Sequence, residues 1–407
     1  KLSTHAIAQL PGYSFTEKLY EGSRTVVYRG IRLQDSKLVV IKLLKKALPT
    51  FSELVQFSNQ YSIAKGLNLP NVVTPLALLP YGNGSALIMN DFGGCALNLF
   101  LGWSLEHGTN TPAPNQEPKL GDTLPNLILF FQIAIQVAEA LDGLGKQRII
   151  HKDIKPANIL IQPESHQVKL IDFSIASTLP YESQTIQNPN VLEGTLEYVS
   201  PEQTGRMNRG VDYRSDFYAF GVTCYELLTG ELPFHADAPM EIIHGHLARQ
   251  PTAPHQLCDI PTVVSDIVLK LMAKNAEDRY QSASGLKHDL EECLYQLKDW
   301  GHVDAFELGS QDVCDRFLLP EKLYGRQTEV ARLLTAFERT SQGSTEIMLV
   351  AGHSGIGKTA VVNEVHKPIT QQNGYFITGK YDQLQRNIPL SAFIQAFREL
   401  MKLILGE

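Results

Sequence analysis

Between Tyr13 and Met89 the apolar residues fall in short β-branched and aromatic runs bounded by turn formers. Thr25–Tyr28, Leu38–Lys42, Val72–Val73 and Ala86–Met89 therefore read as strands. One stretch inside this region switches to helical spacing. Thr50 and Glu53 make a capping box, after which Leu54, Phe57, Tyr61 and Ala64 recur on one face. From Ala96 onward helical periods dominate, and Gly102 to Asn126, rich in Pro, Gly, Asn and Thr, reads as a surface loop between two helices. Leu124–Leu141 is the most apolar run. Gln132, Gln136, Glu139 and Asp142 cut it with a polar stripe at helical spacing, which predicts a buried helix and no membrane span.

Farther on, Leu286–Trp300 has the pattern of a closing helix with mixed charge, and Gly301–Pro320 that of a linker. A second pattern then begins near Tyr324: a helix at Thr328–Ser341, a strand at Glu346–Ala351 and a glycine-rich turn. A helical period runs from Leu390 to the end, and no internal repeat is visible. Two domains and one joint suit a chain of 407 residues.

Composition narrows the function classes. Hydrophobic residues make up 43% and charged residues 19%, as in a folded soluble protein. A net charge of −7 supplies no basic field, so nucleic acid is not an expected partner. Five scattered cysteines without C-x-x-C spacing suggest reduced thiols and a cytoplasmic setting. No signal sequence is visible, and the start at Lys1 hints at a fragment. His244 and His246 lack a third ligand at suitable spacing and read as solvated or capping residues rather than a metal site.

Phosphoryl transfer asks a protein for cations around phosphates, a metal-holding carboxylate and another carboxylate to orient the attacking hydroxyl. Such groups occur here in a telling order: Lys42 after Val39–Ile41, then His151 to Asn158, then Asp172-Phe173-Ser174 after Leu170 and Ile171. This series resembles the serine/threonine protein kinases. The resemblance implies a bilobal α+β protein-kinase fold at residues 13–298, with a β-rich N-lobe at about 13–89 and a helical C-lobe at about 93–298. It implies ATP and Mg²⁺ as cofactors and a protein carrying Ser or Thr as substrate. Asp153 would accept the substrate proton, Lys155 would neutralise charge on the moving phosphoryl group, and Asn158 and Asp172 would hold metal. Lys42 would hold the α- and β-phosphates. Gly22, Ser23 and Val27 would belong to the phosphate-covering loop, and the backbones of Asn90 and Phe92 would read adenine. Lys155 paired with Thr195 is similar to serine/threonine rather than tyrosine kinases. Ser200-Pro201-Glu202, Arg279 and Asp216 resemble architectural residues of the family.

The sequence departs from the family pattern at four places. Tyr20 and Thr25 replace the outer glycines of the covering loop, and Ser174 replaces the glycine after Phe173. Counting back from Pro70-Asn71 puts Gln60 where the lysine's glutamate partner is expected. Lys152 stands where many regulated kinases carry arginine, which implies little dependence on activation-loop phosphorylation.

Gly352 to Thr359 satisfies G-x-x-x-x-G-K-[ST] between an apolar run and a helix-compatible one. Gly352, Gly355 and Gly357 would let backbone amides cradle phosphates, with Lys358 on the β/γ-phosphates and Thr359 on Mg²⁺. Leu323–Val330 resembles the opening of AAA-type ATPase domains, so residues 321–407 read as the beginning of an α/β P-loop NTPase domain after a linker at 299–320. No apolar strand ending in Asp follows Thr359, so hydrolysis is not assigned to this piece. The order kinase–ATPase resembles large bacterial signalling proteins, and implies downstream GAF and histidine-kinase modules. Three functions follow: an active kinase, an ATP-binding pseudokinase-like scaffold, or the regulatory front of an ATPase switch or histidine kinase.

Overall fold

The computed structural model describes residues 10–46, 48–104, 111–112, 120, 124–178, 194–205, 209–313, 325–353, 356–363, 376–381 and 390–405. Five antiparallel strands form the first layer: β1 (Tyr13–Glu21), β2 (Thr25–Arg32), β3 (Lys37–Leu44), β4 (Pro75–Tyr81) and β5 (Gly84–Asn90), in the order β1-β2-β3-β5-β4. Helix α1 (Phe51–Ala64) lies between β3 and β4, and both halves of its capping box are formed by Thr50 and Glu53. Val72–Val73 differs from expectation. Val72 makes only an isolated bridge to Leu170, and the strand of this region is β4. Pro75 and Pro80 mask its pattern, and both are tolerated because β4 is the sheet edge.

The second lobe opens with β6 (Cys95–Ala96), α2 (Leu97–Phe100), β7 (Trp103–Ser104) and β8 (Thr111–Pro112). Most of the expected surface loop lies outside the described residues, and its last three positions belong to α3 (Leu124–Lys146). Among the described residues α3 alone is long and apolar enough to cross a membrane. Its apolar faces are instead filled by the core: Phe130, Phe131, Ile133, Ala134, Val137 and Ala138 are all buried, and α7 packs alongside. The short pair β9 (Ile159–Ile161) and β10 (Val168–Leu170) carries the loops of the site. Helix α4 (Arg214–Thr229) is buried along its whole length, with α5 (Pro239–Ala248), α6 (Thr262–Leu271) and α7 (Ala283–Trp300) around it.

The closing helix begins three residues earlier than its periodicity suggests, because the Ser282 hydroxyl accepts from the Gly285 N–H and caps it. Residues 301–313, read from sequence as part of a linker, fold back on this helix. The Asp312 carboxylate accepts from the backbone N–H groups of Gln281 and Ser282 and from the Ser282 hydroxyl, each at 2.7 Å. The Gly309 N–H donates to Asp289, and Val303, Phe306 and Leu308 pack on the core.

The C-terminal part contains α8 (Gln327–Ser341), α9 (Lys358–Asn363) and α10 (Ser391–Leu405). The expected strand at Glu346–Ala351 is not formed among the described residues. A strand needs a neighbouring ladder, and among the described residues this run has none; Ile347 and Leu349 stand 90% and 91% exposed.

Candidate active site

Lys42 enters the site from β3, where it faces Val27 across the β2–β3 ladder. Its ammonium donates to Gln60 Oε1 at 3.0 Å and to Asp172 Oδ2 at 2.9 Å. All three come from different elements, and Lys42 and Gln60 are buried. Burial works to raise the Asp172 pKa, but the adjacent Lys42 charge overrides it and holds the carboxyl at about 2. Its other oxygen, Oδ1, is enclosed and has no hydrogen-bond partner among the described residues. Asp172 adopts φ +65°, unusual for a residue with a side chain, whereas Ser174 is not among the positive-φ residues. Serine in place of glycine is therefore unstrained in this conformation.

Asp153 lies on the loop after Ile150, and two hydrogen bonds to a buried carboxylate set that loop's shape. Asp216 of α4 accepts from the N–H groups of His151 and Lys152, both at 2.7 Å, and Lys152 takes φ +69°. The His151 ring lies 4.7 Å from the buried Phe173 ring, with its Nε2 3.0 Å from the Ile171 carbonyl oxygen. Lys155 donates to Asp153 Oδ2 at 2.7 Å and to the Thr195 hydroxyl, which itself donates to Asp153 Oδ1 at 2.9 Å. Both hydrogens of the Asn158 amide go to Asp153, to its carbonyl and carboxylate oxygens at 2.8 Å. That arrangement leaves the Asn158 side-chain oxygen as an available oxygen donor.

Gly22 makes the turn between β1 and β2, with its N–H on the Thr25 carbonyl at 2.9 Å. The Tyr20 side chain lies over it: a Cβ on Gly22 would fall 2.5 Å from the Tyr20 hydroxyl. Ser23 is exposed at the tip and Val27 half-buried beneath it. At the far side of the cleft, Met89 is buried, Asn90 is exposed and Phe92 half-buried. The Phe92 N–H has no partner among the described residues, so a donor remains for a ligand.

Two further residues shape the site. Asn59 of α1 donates from its side chain to the carbonyls of Ser174 at 3.1 Å and Ala176 at 3.0 Å. Arg29 of β2 bonds Asp91 at 2.6 Å, and Asp91 in turn accepts from the Gly93 N–H, which fixes the segment beside Phe92. Neither belongs to a motif, and only the folded chain brings their partners close. Below the loop, Glu202 and Arg279 form a buried bidentate pair at 2.7 and 2.9 Å, to which Ser215 adds a hydroxyl.

The glycine-rich turn after residue 351 is a separate location. Lys358 donates to the carbonyls of Gly352 and His353, both at 2.8 Å, and Gly357 takes φ +92°, which glycine alone adopts freely. Thr359 is exposed in the first turn of α9; Gly355 lies outside the described residues.

Comparison with known proteins agrees with this geometry. The model of the protein kinase domain family matches residues 13–290, and that of the AAA ATPase domain matches residues 322–407. A hybrid signal transduction histidine kinase G of Dictyostelium discoideum is 32% identical over 68% of this chain and 10% of that protein. A probable serine/threonine-protein kinase of Clostridium perfringens is 31% identical over 69% of this chain and 38% of its own length. Serine/threonine-protein kinase PknB of Mycolicibacterium smegmatis is 31% identical over 68% of this chain and 42% of its own length. The chain thus spans less than half the length of these relatives. With its kinase model covering well over half of the residues, the chain belongs to the protein kinase family, in the order kinase domain and then AAA ATPase domain.

Proposed function

We propose that the chain is a serine/threonine protein kinase that transfers the γ-phosphoryl group of ATP to Ser or Thr hydroxyls, as the front part of a larger signalling protein. The observation that carries this reading is the group made by Asp153, Lys155 and Thr195, in which a carboxylate, an ammonium and a hydroxyl converge. The substrate hydroxyl would give its proton to Asp153 as its oxygen bonds the γ-phosphorus, and the bond to the β-phosphate bridging oxygen would break with ADP leaving. Lys155 would offset charge on the moving group, and Lys42 would hold the α- and β-phosphates. The unpartnered Asp172 Oδ1 and the Asn158 side-chain oxygen are hard oxygen donors of the type Mg²⁺ takes. Bound with ATP, that ion would neutralise phosphate charge. The partner-free Phe92 N–H fits an adenine acceptor, with the Asn90 backbone beside it.

Because α7 runs to Trp300 and residues 301–313 pack back on it, the first domain is drawn as 13–313 rather than 13–298, with the second at 321–407. The second domain would bind nucleotide through Lys358 and Thr359. The similarity to a histidine kinase that signals supports downstream sensory and histidine-kinase modules in the full protein. A cytoplasmic setting fits an α3 that is spent on the core.

A weaker, ATP-binding regulatory role is the second reading. Tyr20 over Gly22 favours it, since the covering loop has less room to approach phosphates. Radiolabelled ATP, Mg²⁺ and a generic protein substrate separate the two. Incorporation lost in Asp153→Asn supports transfer; equal incorporation in both proteins removes it.

A further inference from the structure

Asp172 holds a positive-φ backbone that an L residue rarely adopts, so its surroundings must hold it there. Upstream, the Ile171 carbonyl oxygen meets His151 Nε2 at 3.0 Å. On the side chain, Lys42 takes Oδ2. Downstream, the two side-chain N–H groups of Asn59 take the carbonyls of Ser174 and Ala176, after which Ser177 pairs with Ile150 in both directions at 2.9 Å. Asn59 is thus the point where α1 grips the metal-binding segment itself. Among the described residues the side chain of its neighbour Gln60 bonds Lys42 alone, and without a charge of its own.

We propose that Asn59 is a positioning residue for Asp172: by holding the backbone at Ser174 and Ala176 it fixes the conformation in which the Asp172 carboxylate can take metal, in place of the charged tie that other kinases make between helix and lysine. This rests on the kinase reading and names a residue outside its motifs. Asn59 is only half-buried, so its side chain can be changed without emptying the core.

Three variants isolate the donor. Asn59→Ala removes it; Asn59→Asp keeps the shape but can only accept when ionised; Asn59→Gln keeps the donor on a longer arm. The Mg²⁺ concentration for half-maximal ATP binding, read with a fluorescent ATP analogue, should rise about tenfold in the Ala and Asp variants, the scale of losing the two part-buried hydrogen bonds of Asn59. Their kcat/KM should fall by a similar factor, while thermal midpoints stay near that of the parent. Asn59→Gln should return to within about threefold. Wild-type Mg²⁺ demand in Asn59→Asp, or a Gln variant as impaired as Ala, overturns the proposal. If the parent binds MgATP but transfers no more than Asp153→Asn does, the kinase reading fails, and the binding comparison still decides Asn59.

Discussion

The Lys42 ammonium meets the Gln60 amide oxygen at 3.0 Å, so the contact that ties β3 to α1 carries a single charge. The only anion on Lys42 among the described residues is Asp172, whose Oδ2 lies 2.9 Å away. At the site, helix α1 is therefore held inward by side chains that carry no charge of their own, Gln60 on the Lys42 ammonium and Asn59 on backbone carbonyls, while its first turn is tied by the Lys46–Glu53 ion pair.

Gln60→Leu should weaken transfer without unfolding the domain. It takes an acceptor from a buried ammonium, a loss of about 1–3 kcal/mol, or about fivefold to 150-fold in kcat/KM. Steady-state kinetics with varied ATP would show it. A Leu variant at wild-type rate would mean that Asp172 alone positions Lys42.

Lys274 lies between α6 and α7, with its ammonium 3.1 Å from the Gly245 carbonyl oxygen and 4.6 Å from the centre of the Phe234 ring. Burial, and then the charge of Arg279, bring its pKa from 10.5 down to about 7. The unfolded chain therefore binds more protons than the fold between these values, and this residue makes stability rise from pH 7 toward 10.5. Lys274→Met should flatten that rise. Urea midpoints at pH 7 and 9 for both proteins check it, and an unchanged difference between the two pH values counts against the assignment.

Glu202 and Arg279 are both buried, so each depends on the other. Burial pushes the Glu202 pKa up, yet the Arg279 charge brings it from 4.5 down to about 2. The pair stabilises the fold fully above pH 4.5 and loses that contribution as pH falls toward 2. Arg279→Ala would strand a buried carboxylate at a cost of about 3–5 kcal/mol. Denaturant melts at neutral pH give the number, and a loss below about 1 kcal/mol would contradict the pairing.

Much of the site is readable along the chain because each kinase motif packs several charged residues into a few positions. Gln60 could be placed by counting, and the Thr50 capping box by two residues three apart. Other features depend on contacts that no local pattern carries. Asn59 touches carbonyls 115 and 117 positions away. β4 is hidden by its prolines, and residues 301–313 look like a linker because Asp312 binds backbone N–H groups, which leave no trace in residue type. The run 346–351 has strand composition, but composition supplies no partner strand.

Lys152 offers a point charge where a planar arginine would clasp a phosphate at two oxygens, and its backbone is already fixed by Asp216 and Gln203. Replacing Thr178, Ser183 and Thr185 together with alanine should leave kcat within about twofold. Ser183 and Thr185 lie outside the described residues, so the prediction rests on Lys152. Initial rates decide it, and a collapse would place control in that segment.

The most direct measurement is phosphoamino-acid analysis of protein labelled with [γ-³²P]ATP and Mg²⁺ by the wild type and by Asp153→Asn. The Asp153, Lys155 and Thr195 arrangement predicts phosphoserine and phosphothreonine from the wild type and almost none from the variant. Equal label from both proteins, or label found on tyrosine, would contradict it.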